Sequence, residues 1–427
     1  MRALLVFLAI ALTLPGAGQC GQRLVIFGPS SWDTFAPGAP ERVIDAVTAT
    51  LDTAFRRQHP EVTEIIHDAR GTVAEGLSRL RNAQFAGEQI DVIICAANRV
   101  NTSFAERGLI LPVDDLIGRL GDPFSAGAVR NFTLQGHVWA VPLSAANVTT
   151  FIYNRQLFKQ AGLSIPRTYV EFRAAVPRLR QIGVIPVVHQ GKNAWMWPMY
   201  YMSALAQTTG NQPVEETEAI LSRRARFTDS PSLRALQLTR RWVSDGLLDP
   251  QSNELDEDAM KSVFYSGRAA AYFGDSWDIA EISVTAPFPW GVFEFPQYDN
   301  VPGHPSSFGG AESGLCLSSS THQRSLAADY ITFAAGTAQA TGLLAPLVAP
   351  ATSHRYVPGA TDPISMTLRT YLPAVKFLDW MWPLELADTI QRQVQDMMGG
   401  SITPEQAAKA MQAKYDSMVA SGFRYRP

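Results

Sequence analysis

Residues 90–95, IDVIIC, read as an apolar strand with no face reserved for solvent. Strands of that kind belong to parallel sheets covered by helices on both sides. Around this one the chain alternates. Residues 23–27, RLVIF, form a short apolar strand. Residues 41–58 carry apolar positions at helical spacing, 61–67 read as a strand, and 72–85 are helical. Strand and helix taken in turn make the region α/β. In such sheets a ligand sits beyond the carboxyl ends of the strands. Those ends deliver Ser31, Trp32 and Asp33 after the first strand, and Asn98 and Arg99 after IDVIIC.

The chain has 427 residues. That is long enough for two lobes, because single cores stop growing at roughly 250–300 residues. It is 46% hydrophobic and 18% charged, with a net charge of −3 and no basic stripe, so no nucleic-acid partner is expected. Arg2, the apolar LLVFLAIALTL and the small-residue PGAGQCG make an export signal, too short to anchor stably in a membrane. We expect a signal peptide over residues 1–22 and a periplasmic mature protein. Lipid anchoring at Cys20 is disfavoured by Gln19, which stands where a small residue is wanted. The spacing of Cys20, Cys95 and Cys316 resembles no metal site, and no cofactor is expected. Cys95 (VIICAA) and Cys316 (GLCLSS) lie in apolar contexts that suit buried thiols, although an oxidising compartment would permit them to pair.

Residues 136–154, GHVWAVPLSAANVTTFIYN, combine a turn, a short strand, Pro142, a polar stretch and a second β-rich run. They read as a crossing between lobes. A helix over 166–183 and a strand over 184–189 lead to GKNAWMWP, and a long helical region follows to about residue 247. A helix over 257–267 and a strand over 268–273 then enter RAAAYFGDSWDIAEI, residues 268–282. This is a strand, a tight glycine turn, and a helix start capped by Asp275 or Ser276. It sets two carboxylates around Trp277, and an unpaired buried carboxylate is expensive. Either Trp277 is a core residue and the acids are caps, or the group faces a ligand. SFGGAESGLCLSS (307–319) reads as a strand pair around a Gly-rich turn. Near the end, Thr403, Pro404 and Gln406 supply the N-cap, the first helical position and the closure of a capping box.

The order of these segments resembles the extracellular solute-binding proteins of carbohydrate ABC importers, the family that includes maltose-binding protein. The stretches that carry the resemblance are GLILPVDDLI (108–117), GHVWAVPLSAANVTTFIYN (136–154), LFKQAGLSIPRTYVEF (157–172) and QIGVIPVVHQGKNAWMWP (181–198). FYSGRAAAYFGDSWDIAEI (264–282), FGGAESGLCL (308–317) and GGSITPEQAAKAM (399–411) complete it. Each is loose alone; their order spans nearly the whole mature chain. The first loop, GPSSWDTFAPGAPE, departs from the commoner members. The resemblance implies an α/β, two-lobe periplasmic-binding-protein fold of type II, with mixed, mostly parallel sheets flanked by helices and the ligand cleft between lobes. The implied N-lobe is 23–145 with 295–342, and the C-lobe 146–294 with 343–427. Crossings are expected near 143–148, 294–297 and 340–345. The closed, liganded form would dock on the transmembrane subunits of an ABC permease, and a monomer is expected.

Sugar chemistry fits the unusual residues. A pyranose offers apolar C–H faces to aromatic rings and a hydroxyl rim to amides, carboxylates and Arg. The candidate ligand-binding residues are therefore Ser31, Trp32, Asp33, Asn98, Arg99, Asn147, Lys192, Asn193, Trp195, Asp275, Trp277, Asp278, Gly310 and Glu312. Trp277 is the expected stacking platform, and Asp275 or Asp278 would bind hydroxyls or cap the next helix. Asn147 sits at the crossing, where a backbone-turn role competes with a site role. Gly310 lies in a turn that permits close backbone approach, with Glu312 as an acceptor. Trp197, Trp380 and Trp382 are assigned to packing. The expected function is non-catalytic capture of a mono- or oligosaccharide. Three alternatives remain: a polyol, sugar phosphate or cationic solute on the same fold; an enzyme with Cys95 or Cys316 as nucleophile; or a catalytic carboxylate pair. A phosphate ester would want several cations, and only Arg99 and Lys192 are placed to meet one.

Overall fold

A computed structural model describes residues 21–28, 41–68, 73–96, 104–121, 123–124, 126–143, 145–276, 278–306, 308–311, 313–337, 351–352, 362–371 and 381–425. The first sheet begins as the alternation requires. β1 (Gln22–Phe27) runs parallel to β2 (Val62–Asp68) and β3 (Val92–Ala96), and α1 (Glu41–Gln58) and α2 (Val73–Phe85) fall in the intervals between them. The buried Val47, Leu51, Phe55 and Leu80 of these helices join Leu24, Ile26 and Val92 in the core. Short strands follow: β4 (Ile110–Leu111), the hairpin of β5 (Thr133–Leu134) and β6 (His137–Val138), and β7 (Val141–Pro142). The IDVIIC run contains one polar residue, Asp91, and it is fully buried. Its carboxylate accepts from the Val25 amide at 2.8 Å and from the Thr321 hydroxyl at 2.6 Å. A buried carboxylate is tolerated when its lone pairs are met in this way.

The second sheet has the order β11-β8-β10-β9: β8 (Ala145–Asn154), β9 (Ile185–Val188), β10 (Ala269–Asp275) and β11 (Trp290–Phe293). β10 is parallel to β9 and antiparallel to β8, and β8 is antiparallel to β11, so this sheet is mixed with antiparallel pairs in excess. Both faces are buried. Phe151 on one face stacks on Phe273 at 4.7 Å, on Phe293 at 5.0 Å and on Trp242 at 5.3 Å between ring centroids. On the other, Val148, Ile152, Val188 and Tyr272 pack with Met260, Phe264 and Ile282. The helices used below are α3 (Tyr169–Gln181), α4 (Trp197–Thr208), α5 (Ser230–Ser244), α6 (Glu257–Tyr265), α7 (Asp278–Thr285), α8 (Leu384–Gly399) and α9 (Pro404–Ala420). The expected capping box of α9 is formed: Thr403 and Gln406 each accept from the other's backbone amide. A second box, Thr168 with Glu171, opens α3.

SFGGAESGLCLSS is not a hairpin. β12 (Gly309–Ala311) pairs with β8 in register with Ala146–Val148, whereas β13 (Ser313–Ser318) inserts between β3 and β4 in the first sheet. One run thus serves two sheets. β8 is its counterpart: its first residues pair with β12 and with β14 (Ala351–Thr352), and Thr149–Tyr153 pair with β10. Beyond 294–297, where a return is expected, the chain still contacts the helices of the second sheet. Gln207 accepts from the Tyr298 amide at 2.7 Å, the Trp242 indole donates to the Tyr298 hydroxyl at 2.6 Å, and Asn211 accepts from the His304 amide at 2.9 Å. These contacts keep the chain on the helices of the second sheet until β12. The crossing expected at 340–345 lies outside the described residues. Cys316 faces Ile93 and Gly314 faces Cys95, so the two cysteines are offset along neighbouring strands.

Candidate functional site

β10 ends at Asp275, which is in register with Thr149 of β8, and β9 runs parallel to β10. The carboxyl ends of β9 and β10 therefore lie on the edge at which β8 arrives from the first sheet. In that first sheet Ala96, the last residue of β3, faces Ser313, the first of β13. The carboxyl ends in both sheets thus flank the same pair of crossing strands, the position at which α/β sheets bind ligands.

Val148 is the junction. Its amide faces Asp275 Oδ1 at 2.9 Å and Ser276 Oγ at 3.0 Å, and its carbonyl accepts from the Ser276 amide at 3.0 Å. Gly309 sits opposite Val148, and Thr149 exchanges hydrogen bonds with Phe308 at 2.9 and 2.8 Å. Asp275 is fully buried and its Oδ1 also receives the Ser276 amide and hydroxyl. Through Oδ1 the Asp275 carboxylate ties the end of β10 to the crossing strand.

Asp278 opens α7 and is likewise buried. Lys261 Nζ lies 3.1 Å from its Oδ1, 2.6 Å from Glu281 Oε2 and 2.7 Å from Glu257 Oε1. Burial pushes the Asp278 carboxyl up to about 6, with Lys261 opposing the shift. Burial works against the Lys261 charge, but Asp278, Glu257 and Glu281 outweigh it and hold the ammonium above its usual range. Asp278 is thus buried at the first position of α7 and ion-paired with Lys261. Gly274 explains the local sequence: a Cβ there would lie 2.5 Å from Asp278 Oδ2. Only a glycine lets β10 pass so close to the helix start.

The end of β9 is different in kind. Trp195, on the short turn Ala194–Met196, is 40% exposed, one of few large apolar side chains so placed among the described residues. Lys192 is exposed and paired with Asp256 at 3.2 Å, and Asn193 donates to Gln190 at 2.7 Å. The turn is held rigidly. The buried Trp197 donates to Gly191 O at 3.0 Å and to Asn253 Oδ1 at 2.8 Å, the packing role expected of it. Gln395 of α8 donates to Gly191 O at 2.7 Å. Behind the turn, His189 is buried against Trp197, with ring centroids 4.2 Å apart, and burial pushes its imidazole down to about 3. Neither its ring nitrogens nor the Tyr200 hydroxyl finds a partner among the described residues.

Asn147 and Gly310 face each other across the β8–β12 pair, which fixes their backbones at the crossing. Ser31, Trp32, Asp33, Asn98, Arg99, Trp277 and Glu312 lie outside the described residues, as does Trp380. Trp382 is buried, as expected. Sequence reasoning missed Asp256, Asn253 and Lys261. Asp256 had a legible signal, because it caps α6 by accepting from the Ala259 amide at 3.1 Å. Lys261 had none, since a lysine inside DEDAMKSVF reads as a solvated face.

Comparison with known proteins agrees with this architecture. A multiple sugar-binding protein of Streptococcus mutans is 23% identical over 307 residues, 69% of each chain. Among solved structures, a chitin oligosaccharide binding protein superposes with a TM-score of 0.79 at 22% identity, over 94% of this chain and 99% of its own. A protein described for xylan utilization by the thermophilic bacterium Caldanaerobius polysaccharolyticus gives 0.78 at 21% identity, over 92% of this chain and 100% of its own. The model of the family "Bacterial extracellular solute-binding protein" matches residues 43–341, more than half of the chain. The protein thus belongs to the bacterial extracellular solute-binding proteins, the substrate-capturing components of ABC importers.

Proposed function

We propose that the solute is a sugar, taken up as a mono- or oligosaccharide between the two sheets and released unchanged to a membrane permease. The observation that carries this reading is Trp195. Trp195 stands 40% exposed at the carboxyl end of β9, and an indole with amide and ammonium groups beside it suits a pyranose, whose apolar C–H face packs on such a ring. The names of the relatives, which bind multiple sugars and chitin oligosaccharide, support the same class. Trp277 would supply a second platform at the end of β10, with Ser31, Trp32, Asp33, Asn98, Arg99, Asn147, Gly310 and Glu312 completing the site from the first sheet and the crossing.

In this reading residues 1–22 direct export to the periplasm and are removed, and the monomer closes about β8 and the β12–β13 run. The lobes would be 23–145 with β13 onward, and 146–308 with the chain from β14 to the end. A thermal-shift screen against mono- and oligosaccharides tests it. A ligand present at about a thousand times its Kd adds about 4 kcal/mol to stability. A panel of chito-, xylo- and malto-oligosaccharides that leaves the melting temperature unmoved, while a polyol or sugar phosphate raises it, would transfer the function to that solute.

A further inference from the structure

α6 touches both the loop that leaves the carboxyl end of β9 and the helix α7 that follows β10. At its start, Asp256 pairs with Lys192 at 3.2 Å, while the Lys192 amide donates to Leu255 O at 3.0 Å and the Gly191 amide to Ser252 O at 2.9 Å. On its far side Lys261 meets Asp278 and Glu281 of α7, and Tyr265 donates to Glu281 Oε1 at 3.0 Å. Lys261 is 7% exposed, so this is an ammonium held inside the protein rather than a solvated lysine. Its contact with Asp278 Oδ1 is an ion pair and not a well-aligned hydrogen bond, since that oxygen has no hydrogen-bond partner among the described residues.

Apolar packing does not require this arrangement. Met260 and Phe264 of α6 already bury against Ile282 of α7 and Tyr272 of β10. A buried charge cluster adds little net stability to such a contact, but it selects one geometry among several that apolar side chains would accept. We propose that Lys261 is a positioning residue of the solute site: from α6 it pins the first turn of α7, and together with the Lys192–Asp256 pair it holds the β9 loop and the start of α7 at one separation. Lys261 touches no solute in this account; it acts through Asp278. The inference rests on the proposed sugar site, yet its mechanical half is measurable without any sugar.

The test uses the full chain as wild type, Lys261→Met, Lys261→Arg and Glu281→Gln. Hydrogen exchange is followed by mass spectrometry in the unliganded protein, and affinity is measured for chito-, xylo- and malto-oligosaccharides. Lys261→Met should speed exchange in peptides spanning 189–195 and 274–282 by roughly tenfold or more, with α9 unchanged. Lys261→Arg should restore most of the protection. Affinity for whichever of the three sugars binds the wild type should fall by about tenfold and recover in the same order. Glu281→Gln, which strands no buried charge, should show the same pattern more weakly and carries the test if Lys261→Met does not fold. Unchanged exchange in both segments overturns the proposal. So does a uniform rise across the protein, or loosened segments with full affinity. If the wild type binds none of the three sugars, the sugar reading fails, and the exchange pattern alone decides whether Lys261 is the pin.

Discussion

The amide of Val148, in the strand that crosses between the two sheets, lies 2.9 Å from Asp275 Oδ1 at the end of the β10 strand. The carboxyl end of β10 is thereby bonded to the strand that enters its sheet. Removing the carboxylate leaves Val148 with Ser276 Oγ as its side-chain acceptor and strips the bonds that Asp275 receives from Ser276. Asp275→Ala should therefore lower stability by about 1–3 kcal/mol, the range for a buried polar group that loses its partner. Denaturant unfolding measures this. A midpoint equal to wild type would mean that the junction is held by β12 alone.

Two buried groups give opposite pH dependences. His189 has a folded-state pKa of about 3, below its unfolded value of about 6.5, so its contribution is present above that value and is lost as pH falls. The loss reaches about 2 kcal/mol near pH 5. Asp278 is the reverse. Its folded-state pKa of about 6 lies above the unfolded value, so the fold favours its protonated form and stability declines as pH rises between about 4 and about 6. The two slopes oppose each other in the wild type. His189→Phe should gain stability relative to wild type most strongly at acid pH, and Asp278→Asn most strongly near pH 7. Thermal melts from about pH 4 to about pH 8 separate the two. Parallel curves for all three proteins would contradict both assignments.

Much of this architecture can be read from the chain. Strands such as RLVIF and helices such as residues 41–58 announce themselves by local periodicity, and the Thr403 capping box by residues three apart. What escapes is non-local. Asp91, Asp275 and Asp278 are each buried, and each meets a partner on another element: Thr321, Val148 and Lys261. A carboxylate beside a strand end looks the same in sequence whether it meets a solute hydroxyl or a backbone amide. The β12–β13 run fails for the same reason, because a glycine-rich break between two strand-like stretches does not say that each stretch joins a different sheet. Trp195 stands out in the sequence because the polar Lys192 and Asn193 precede it just beyond a strand end.

Trp195→Ala should weaken sugar binding while leaving the fold intact, because the indole is already partly in water. Loss of one stacking aromatic costs about 1–3 kcal/mol by analogy with bases on aromatic side chains. Trp277→Ala should behave alike if it is the second platform. Calorimetric affinity together with a melting curve of the unliganded variant distinguishes the roles: full affinity, or a collapsed melting temperature, assigns the tryptophan to the scaffold.

Closure should accompany capture. Contacts from both sheets are made at once only when the solute draws them together, so the closed form is favoured by that difference in affinity. Small-angle scattering of the protein saturated with a bound sugar should show a smaller radius of gyration than the unliganded protein. An unchanged profile would leave a rigid pocket, with no shape signal for a permease to read.

The central claim is that this chain captures a sugar, and calorimetric titration of the mature protein with chito-, xylo- and malto-oligosaccharides tests it most directly. The account predicts saturable single-site binding of at least one series, with Kd on the order of micromolar or tighter, corresponding to about −8 kcal/mol or better. Heats of dilution alone across all three series, from protein that melts cooperatively, would contradict it.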